Sequence, residues 1–157
     1  MQSQKGYTVN MSDYINDDNF ENAQTTIYHR IYKRLDSIIA GGIKQFLEND
    51  ELSIKPSGFF VGFIFEKDIE NTNQIYLLHY LGGDTDSLIN LDLEIKLELY
   101  PEETRASVLY INDGFKTVYS RDNNKIKIHN WFIKWLWMLQ DGRKECKNEN
   151  RACFNFF

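Results

Sequence analysis

Carboxylates that stand close together are the first residues in this sequence that could do chemistry. Asp84 and Asp86 are two residues apart, directly after a Gly-Gly pair, in a stretch between two candidate strands. Two carboxylates at this spacing can turn to one divalent cation, and Glu102 and Glu103 are further candidate oxygen ligands if the loops meet. The pattern allows a metal-dependent hydrolase. The interpretation that we favour is a pair of turn-forming aspartates on a solvated loop, with no metal site and no catalytic residue.

A second group of carboxylates alternates along one candidate strand. Asp92, Glu94 and Glu98 share a strand face with Lys96, opposite a face of leucine and isoleucine. Paired carboxylates do acid–base work when burial separates their pKa values, whereas on an exposed face all of them stay ionised. The alternation therefore predicts a solvated strand face. We take its three carboxylates as candidate residues for binding a basic partner.

The histidines and cysteines form no pattern typical of catalysis or of metal binding. His29 falls on the polar side of a candidate helix, His79 in an apolar strand and His129 at a helix start. Cys146 and Cys153 are spaced more widely than paired zinc ligands usually are. Glycine-rich phosphate-binding motifs are also missing from the sequence. The sequence therefore predicts no cofactor, and three histidines that are hydrogen-bonded or on the surface.

A basic stripe on the first candidate helix offers a third kind of chemistry. Arg30, Lys33 and Arg34 lie beside Tyr28 and Tyr32, and basic groups interleaved with aromatic rings can hold single-stranded RNA. The tyrosines, however, belong to the predicted buried face of that helix. The formal net charge of −5 also argues against a protein that mainly binds nucleic acid. RNA binding is kept as an alternative, and a solvated helix face is the favoured interpretation.

Length and composition restrict the class of protein. The chain has 157 residues, of which 42% are hydrophobic and 26% charged, with two prolines and nine glycines. These values are typical of one globular domain, and they exclude collagen-like and Pro/Gly-rich disordered chains. No apolar run reaches the ~18 residues of a membrane-spanning helix. The first residues are polar and lack the apolar stretch of a secretory signal, so we expect a cytoplasmic protein.

Hydrophobic periodicity predicts two helices around a run of strands. Apolar residues at helical spacing indicate helices at Asp18–Ala40, ended by Gly41-Gly42, and at Ile128–Gln140. Between them the period changes to two. The six candidate strands are Leu52–Lys55, Phe59–Glu66, Gln74–Leu81, Leu88–Tyr100, Arg105–Ile111 and Phe115–Ser120. Because the connections are short and contain no helix, we predict an α+β fold, an antiparallel meander flanked by an N-terminal and a C-terminal helix.

The predicted domain spans residues 18–142, between a flexible or disordered tail at 1–17 and a C-terminal tail at 143–157. Its last helix has an unusual surface, because Ile133 and Trp137 fall outside a core face that is complete without them. Large aromatic side chains are enriched at the centres of protein interfaces. Either this helix is buried on two sides, for instance by the phenylalanines at residues 154–157, or the two residues contact a partner or a second copy. We take both as candidate partner-binding residues.

The strand-turn-strand segment Leu99–Val108 carries a family pattern. It resembles the segment Leu-Tyr-His-Asp-Ala-x-x-Ala-Glu-Val of the YqiB-like family, small gamma-proteobacterial proteins with a domain of unknown function. The residues that match in register are Leu99, Tyr100, Ala106 and Val108. Glu102 stands where the family has aspartate. Pro101 and Ser107 depart from the family, which has histidine and glutamate at those positions.

Two flanking segments agree with this resemblance in order. Tyr28–Leu35 is similar to the opening helix of the family, and Asn130–Leu136 to its closing helix. The resemblance implies a cytoplasmic single-domain protein and supplies no catalytic residue. We therefore expect a non-enzymatic, protein-binding adaptor or chaperone-like module that acts through its surface, with a protein partner or as a homodimer.

Overall fold

An antiparallel sheet with helices on one face makes up the part of the chain that the computed structural model describes, residues 27–56, 62–81, 91–113 and 118–141. Its helices are α1 (Ile27–Ile38), α2 (Gly42–Glu48) and α3 (Arg121–Asp141), with a short 3-10 turn at Pro101–Glu103. Its strands are β1 (Ser53–Ile54), β2 (Phe63–Lys67), β3 (Gln74–Tyr80), β4 (Leu91–Tyr100), β5 (Arg105–Asn112) and β6 (Val118–Ser120).

The predicted meander is confirmed. The strands follow one another across the sheet in chain order, and every neighbouring pair is antiparallel. This α+β arrangement, with helices before and after the sheet, is the predicted fold class. The two tails that we predicted lie outside the described residues. No helix in the described ranges is long and apolar enough to cross a lipid bilayer.

The core lies between one face of the sheet and the helices. On β4, Leu93, Ile95, Leu97 and Leu99 are completely buried, and the residues between them are half-buried. This alternation follows from the period of two in a strand, which sends every second side chain to the same face. On α1, the apolar residues recur at spacings of three and four and form one buried side. Both sets belong to a single hydrophobic cluster.

The turn after α1 uses glycine where the backbone requires it. Gly41 and Gly42 have φ angles of 81° and 90°, a left-handed conformation that residues with a Cβ rarely adopt. The carboxylate of Asp36 accepts a hydrogen bond of 2.8 Å from the amide of Ile43, in the first turn of α2. The predicted stop at this pair of glycines is confirmed.

Helix α3 begins at Arg121, seven residues before the predicted start at Ile128. The added residues are polar except for Ile126, and one apolar residue shows no period, so the pattern of the sequence did not reveal them. The backbone at Asn124 is not helical, with φ −132° and ψ 36°, so the axis breaks there before the apolar part of the helix begins. For the first helix, the predicted residues before Ile27 lie outside the described ranges.

A buried histidine ties α3 to the sheet. Strand β6 pairs with β5 only from Tyr110 to Asn112, which leaves the earlier part of that edge without a strand partner among the described residues. Nε2 of His129 accepts a hydrogen bond of 2.8 Å from the amide of Val108, and its Nδ1 donates one of 2.8 Å to the carbonyl of Lys125. Burial lowers the pKa of His129 to about 3, so this imidazole is neutral in the folded chain at neutral pH.

This burial predicts a loss of stability in mild acid. Below its ordinary pKa near 6.5, His129 binds a proton in the unfolded chain but not in the folded chain. We expect the free energy of unfolding to fall by up to roughly 1.4 kcal/mol per pH unit as the pH decreases from about 6.5 towards 5. Urea unfolding at several pH values measures this slope.

The variant His129→Gln tests the assignment, because glutamine does not titrate. Its slope between pH 6.5 and 5 is expected to be clearly smaller than that of the unaltered chain. The control Gln45→Ala, which changes an exposed residue that does not titrate, should keep the original slope. Identical slopes in the unaltered chain and the His129 variant would contradict the prediction.

Candidate functional site

The three carboxylates predicted as a binding surface each have a partner inside the molecule. Asp92 accepts a hydrogen bond of 2.6 Å from Nδ1 of His79, Glu94 accepts one from the hydroxyl of Tyr110, and Glu98 accepts one of 3.0 Å from Arg121. The side chains of Asp92 and Glu98 are only 15% and 16% exposed. The expected solvated face is therefore wrong, because neighbouring strands and the start of α3 supply donors that cover it.

Tyrosines and charges also pair across the middle of this outer sheet face. The ammonium of Lys96 lies 2.8 Å from the carboxylate of Asp68 and 4.9 Å from the ring centre of Tyr76. The hydrogen bond from Lys96 holds the pKa of Asp68 well below its usual range. Burial, and then the hydrogen bond to Glu94, raise the pKa of Tyr110. The polar groups of the outer face thus bond largely to one another. The role of its carboxylates in binding a basic partner stays a prediction.

A β-bulge brings Asp92 to His79. His79 lies opposite Leu93 and Tyr80 lies opposite Leu91, so Asp92 is the extra residue between the two pairs. His79 is completely buried, and its ring centre lies 4.4 Å from that of Phe63. Sequence reasoning missed this pair because a one-residue irregularity in register leaves no mark in the hydrophobic pattern.

The His79–Asp92 pair has the orientation of a catalytic pair, but the residues that the structure describes add no nucleophile to it. In the neutral tautomer whose Nδ1 donates to Asp92, Nε2 carries the lone pair. Nε2 of His79, Oδ2 of Asp92 and the indole nitrogen of Trp135 are buried without a hydrogen-bond partner among the described residues. No nucleophilic side chain bonds to Nε2 there, and the described residues contain no group of three or more candidate metal ligands.

A polar pocket of about 300 Å³ lies at the open edge of β5. Nη1 of Arg121 donates to the hydroxyl of Ser107 at 2.7 Å and to Glu98 at 3.0 Å. Burial opposes ionisation of Glu98, but the hydrogen bonds from Arg121 and Tyr100 outweigh it, so the pKa of Glu98 is lowered. The residues that line the pocket are Tyr28, Glu98, Tyr100, Glu103, Arg105, Ala106, Ser107 and Arg121.

Sequence reasoning also missed this pocket, whose residues come from three separate segments of the chain. The segment that suggested a family resemblance, Leu99–Val108, contributes five of the eight lining residues. One departure from the family pattern, Ser107, accepts the hydrogen bond from Arg121. The only signal in the sequence was the charged pair Glu103 and Arg105 on the two sides of a turn, and such pairs are common on solvated loops.

The outer side of α3 carries exposed apolar residues. Trp137 is 51% exposed and Ile126 is 38% exposed, and Ile133 lies between them on the same side. Trp137 thus lies on the outside, as expected. Ile133 is instead half-buried and packs against the core, because the buried side of the helix extends as far as His129, one turn before it.

The RNA-binding hypothesis concerns α1, and the metal-site hypothesis concerns carboxylates between candidate strands. Tyr28 and Tyr32 are only 6% and 4% exposed, which confirms that they lie on the buried face of the helix, so their rings are not offered for stacking with bases. RNA binding stays a prediction. Glu102 is exposed in the 3-10 turn. Asp84 and Asp86 lie outside the described residues, so the metal hypothesis stays a prediction.

Comparisons with known proteins add no family. No protein-family model, no curated protein and no solved structure matches the chain. The resemblance to the YqiB-like family therefore stays a prediction, and the functional argument rests on the geometry of this molecule.

The hydrogen bond between Asp92 and His79 predicts a graded effect on stability. In Asp92→Ala, the Nδ1 proton of a fully buried imidazole loses its acceptor, which we expect to lower the free energy of unfolding by about 1–3 kcal/mol. In Asp92→Asn, the amide oxygen can still accept, so the loss should be smaller. Urea unfolding gives both values, with the exposed Asp50→Ala as control. Equal losses in the two Asp92 variants would contradict this role for the carboxylate.

Proposed function

We propose that this chain is a non-enzymatic, protein-binding module of the cytoplasm and that the outer side of α3 is its contact surface. We name Ile126, Ile133 and Trp137 the α3 stripe. The observation that carries the proposal is the exposure of Trp137, at 51%. A second exposed apolar residue, Ile126, lies on the same side of the helix. The exposed half of the Trp137 indole contributes nothing to the stability of a monomer, whereas a partner could bury it.

The spacing along the α3 stripe supports a helical partner. Ile126, Asn130, Ile133 and Trp137 follow one another at intervals of four, three and four residues. These are the intervals of helices that pack side by side, and a single asparagine in such a row is known to select the register of packing. Asn130 is half-buried, and its Oδ1 is itself buried without a hydrogen-bond partner among the described residues, so the support for a helical partner rests on the spacing and not on this oxygen.

A second copy of the chain is the partner that we propose for the α3 stripe. Two copies related by a two-fold axis bring the same residues together from both sides, so the stripe needs no complement other than itself. Burying the exposed half of the Trp137 indole would contribute roughly 1–3 kcal/mol per copy. Because this free energy is small, we expect a dimer that forms at high concentration and dissociates on dilution. The proposal includes no catalytic step and no cofactor.

The variant Trp137→Glu tests this surface by placing a charge in its centre. We expect the unaltered chain to approach twice its mass of 18.6 kDa as the concentration rises, and the variant to stay at the mass of one chain. Light scattering after size-exclusion chromatography measures both. The melting temperature of the variant should change little, because the side chain that it replaces is half exposed.

A matched control is Ile69→Glu, which changes an apolar residue that is 82% exposed but lies far from α3 in the chain. It should dimerise like the unaltered chain. Ile126→Glu provides a second variant within the stripe if Trp137→Glu does not fold. An unaltered chain that keeps the mass of one copy at all accessible concentrations would refute the proposed self-association.

A further inference from the structure

Two lysines border the α3 stripe on the surface of the helix. Lys127 and Lys134 are both exposed and seven residues apart, so they lie on the same side of α3, two turns from each other. Lys134 comes three residues before Trp137, a spacing that makes the two side chains neighbours on the helix surface. From Ile126 to Trp137 every other residue is buried or half-buried. The exposed side of this segment therefore consists of two apolar and two basic residues.

Carboxylates of the same segment do not balance the positive charge of this surface. The sequence has no aspartate or glutamate between Ile126 and Trp137. The preceding carboxylate of the helix belongs to Asp122, ahead of the break at Asn124. No ion pair joins Lys134 to another residue in the described part of the chain. A partner that covers the α3 stripe therefore meets the positive charge of Lys134 at its border.

A two-fold axis through the α3 stripe brings the lysines of two copies together. In a symmetric interface the same residue approaches the axis from both sides. Because Lys134 lies about 5–6 Å from Trp137, an axis beside Trp137 places the two Lys134 residues roughly 10–12 Å apart. At this distance like charges repel each other at low ionic strength, and about 0.1 M salt screens them only in part. The proposed self-association is therefore opposed by charge at the border of its own contact.

We propose that Lys134 limits self-association through the α3 stripe, and that a multivalent oxyanion, such as a chain of phosphates, relieves this limit by binding between the lysines of two copies. This inference rests on the proposed contact and names the ligand that regulates it. One such anion offers acceptor oxygens to ammonium groups of both copies, in charge-assisted hydrogen bonds. Because it binds the dimer more tightly than one copy, it shifts the equilibrium towards the dimer.

Sedimentation equilibrium with and without inorganic triphosphate tests this inference on the unaltered chain. Sodium chloride keeps the ionic strength constant, so that general screening is the same in both solutions. We expect millimolar triphosphate to lower the dissociation constant of the dimer by about tenfold. Adenosine triphosphate, which carries the same phosphate chain, should act equally, since the lysines recognise charge alone. An effect of the nucleotide without an effect of triphosphate would contradict the proposed chemistry.

The variant Lys134→Gln separates the local charge from the overall charge. It makes the net charge of −5 one unit more negative, so repulsion between whole molecules would weaken the dimer. We expect instead that at low ionic strength the variant dimerises about threefold more tightly, and that triphosphate has little further effect. Lys127→Gln, a second change at the border, should act in the same direction. Lys44→Gln, an exposed change on α2, alters the net charge equally and should not tighten the dimer.

The possible outcomes distinguish this inference from the proposed function. A dimer that is lost in Trp137→Glu but responds to neither triphosphate nor Lys134→Gln would overturn the inference and leave the contact surface in place. If triphosphate tightens the dimer of Lys134→Gln as strongly as that of the unaltered chain, the anion binds elsewhere and the inference is also wrong. A chain that keeps the mass of one copy with and without triphosphate would refute self-association itself.

Discussion

The burial of one face of β4 is the constraint that orients every other element. Its four inward residues, from Leu93 to Leu99, are completely buried beneath the helices, and the residues between them face outward. A slip of one residue would exchange the two sets and place Glu94 and Glu98 in the core, where unpaired carboxylates are strongly unfavourable. The register of β4 therefore sets the register of its two neighbours, and through β5 it sets where α1 and α3 can pack.

The places where the regular sheet is interrupted are also the places that hold polar groups. One irregularity, between His79 and Tyr80, turns Asp92 towards a buried imidazole. A second interruption is the short pairing of β6, which leaves the first half of β5 to the helix. At the first, the extra residue of the bulge brings a carboxylate to the imidazole. At the second, the side chain of His129 takes over a hydrogen bond to β5 that a strand would have supplied.

Helix α3 joins these features to the surface of the molecule. Its first turns supply Arg121 to the polar pocket, its middle anchors the edge of β5 through His129, and its later turns carry Trp137. Because His129 is buried and hydrogen-bonded at both ring nitrogens, the helix is held at a defined position against the sheet. The start of α3 therefore borders the polar pocket, and its later turns carry the α3 stripe. Both surfaces depend on the same firmly held helix.

The hydrophobic period alone determined the meander, the inward face of β4 and the outward position of Trp137, since each depends on residues that are neighbours in the chain. It could not reveal that Asp92 meets His79, that Arg121 bridges Ser107 and Glu98, or that Ala106 faces a pocket. Those contacts join residues 13 to 23 positions apart or depend on which side of a strand stays open. Only the packed structure decides them, because a strand's register and its free edge are properties of its neighbours and not of its own sequence.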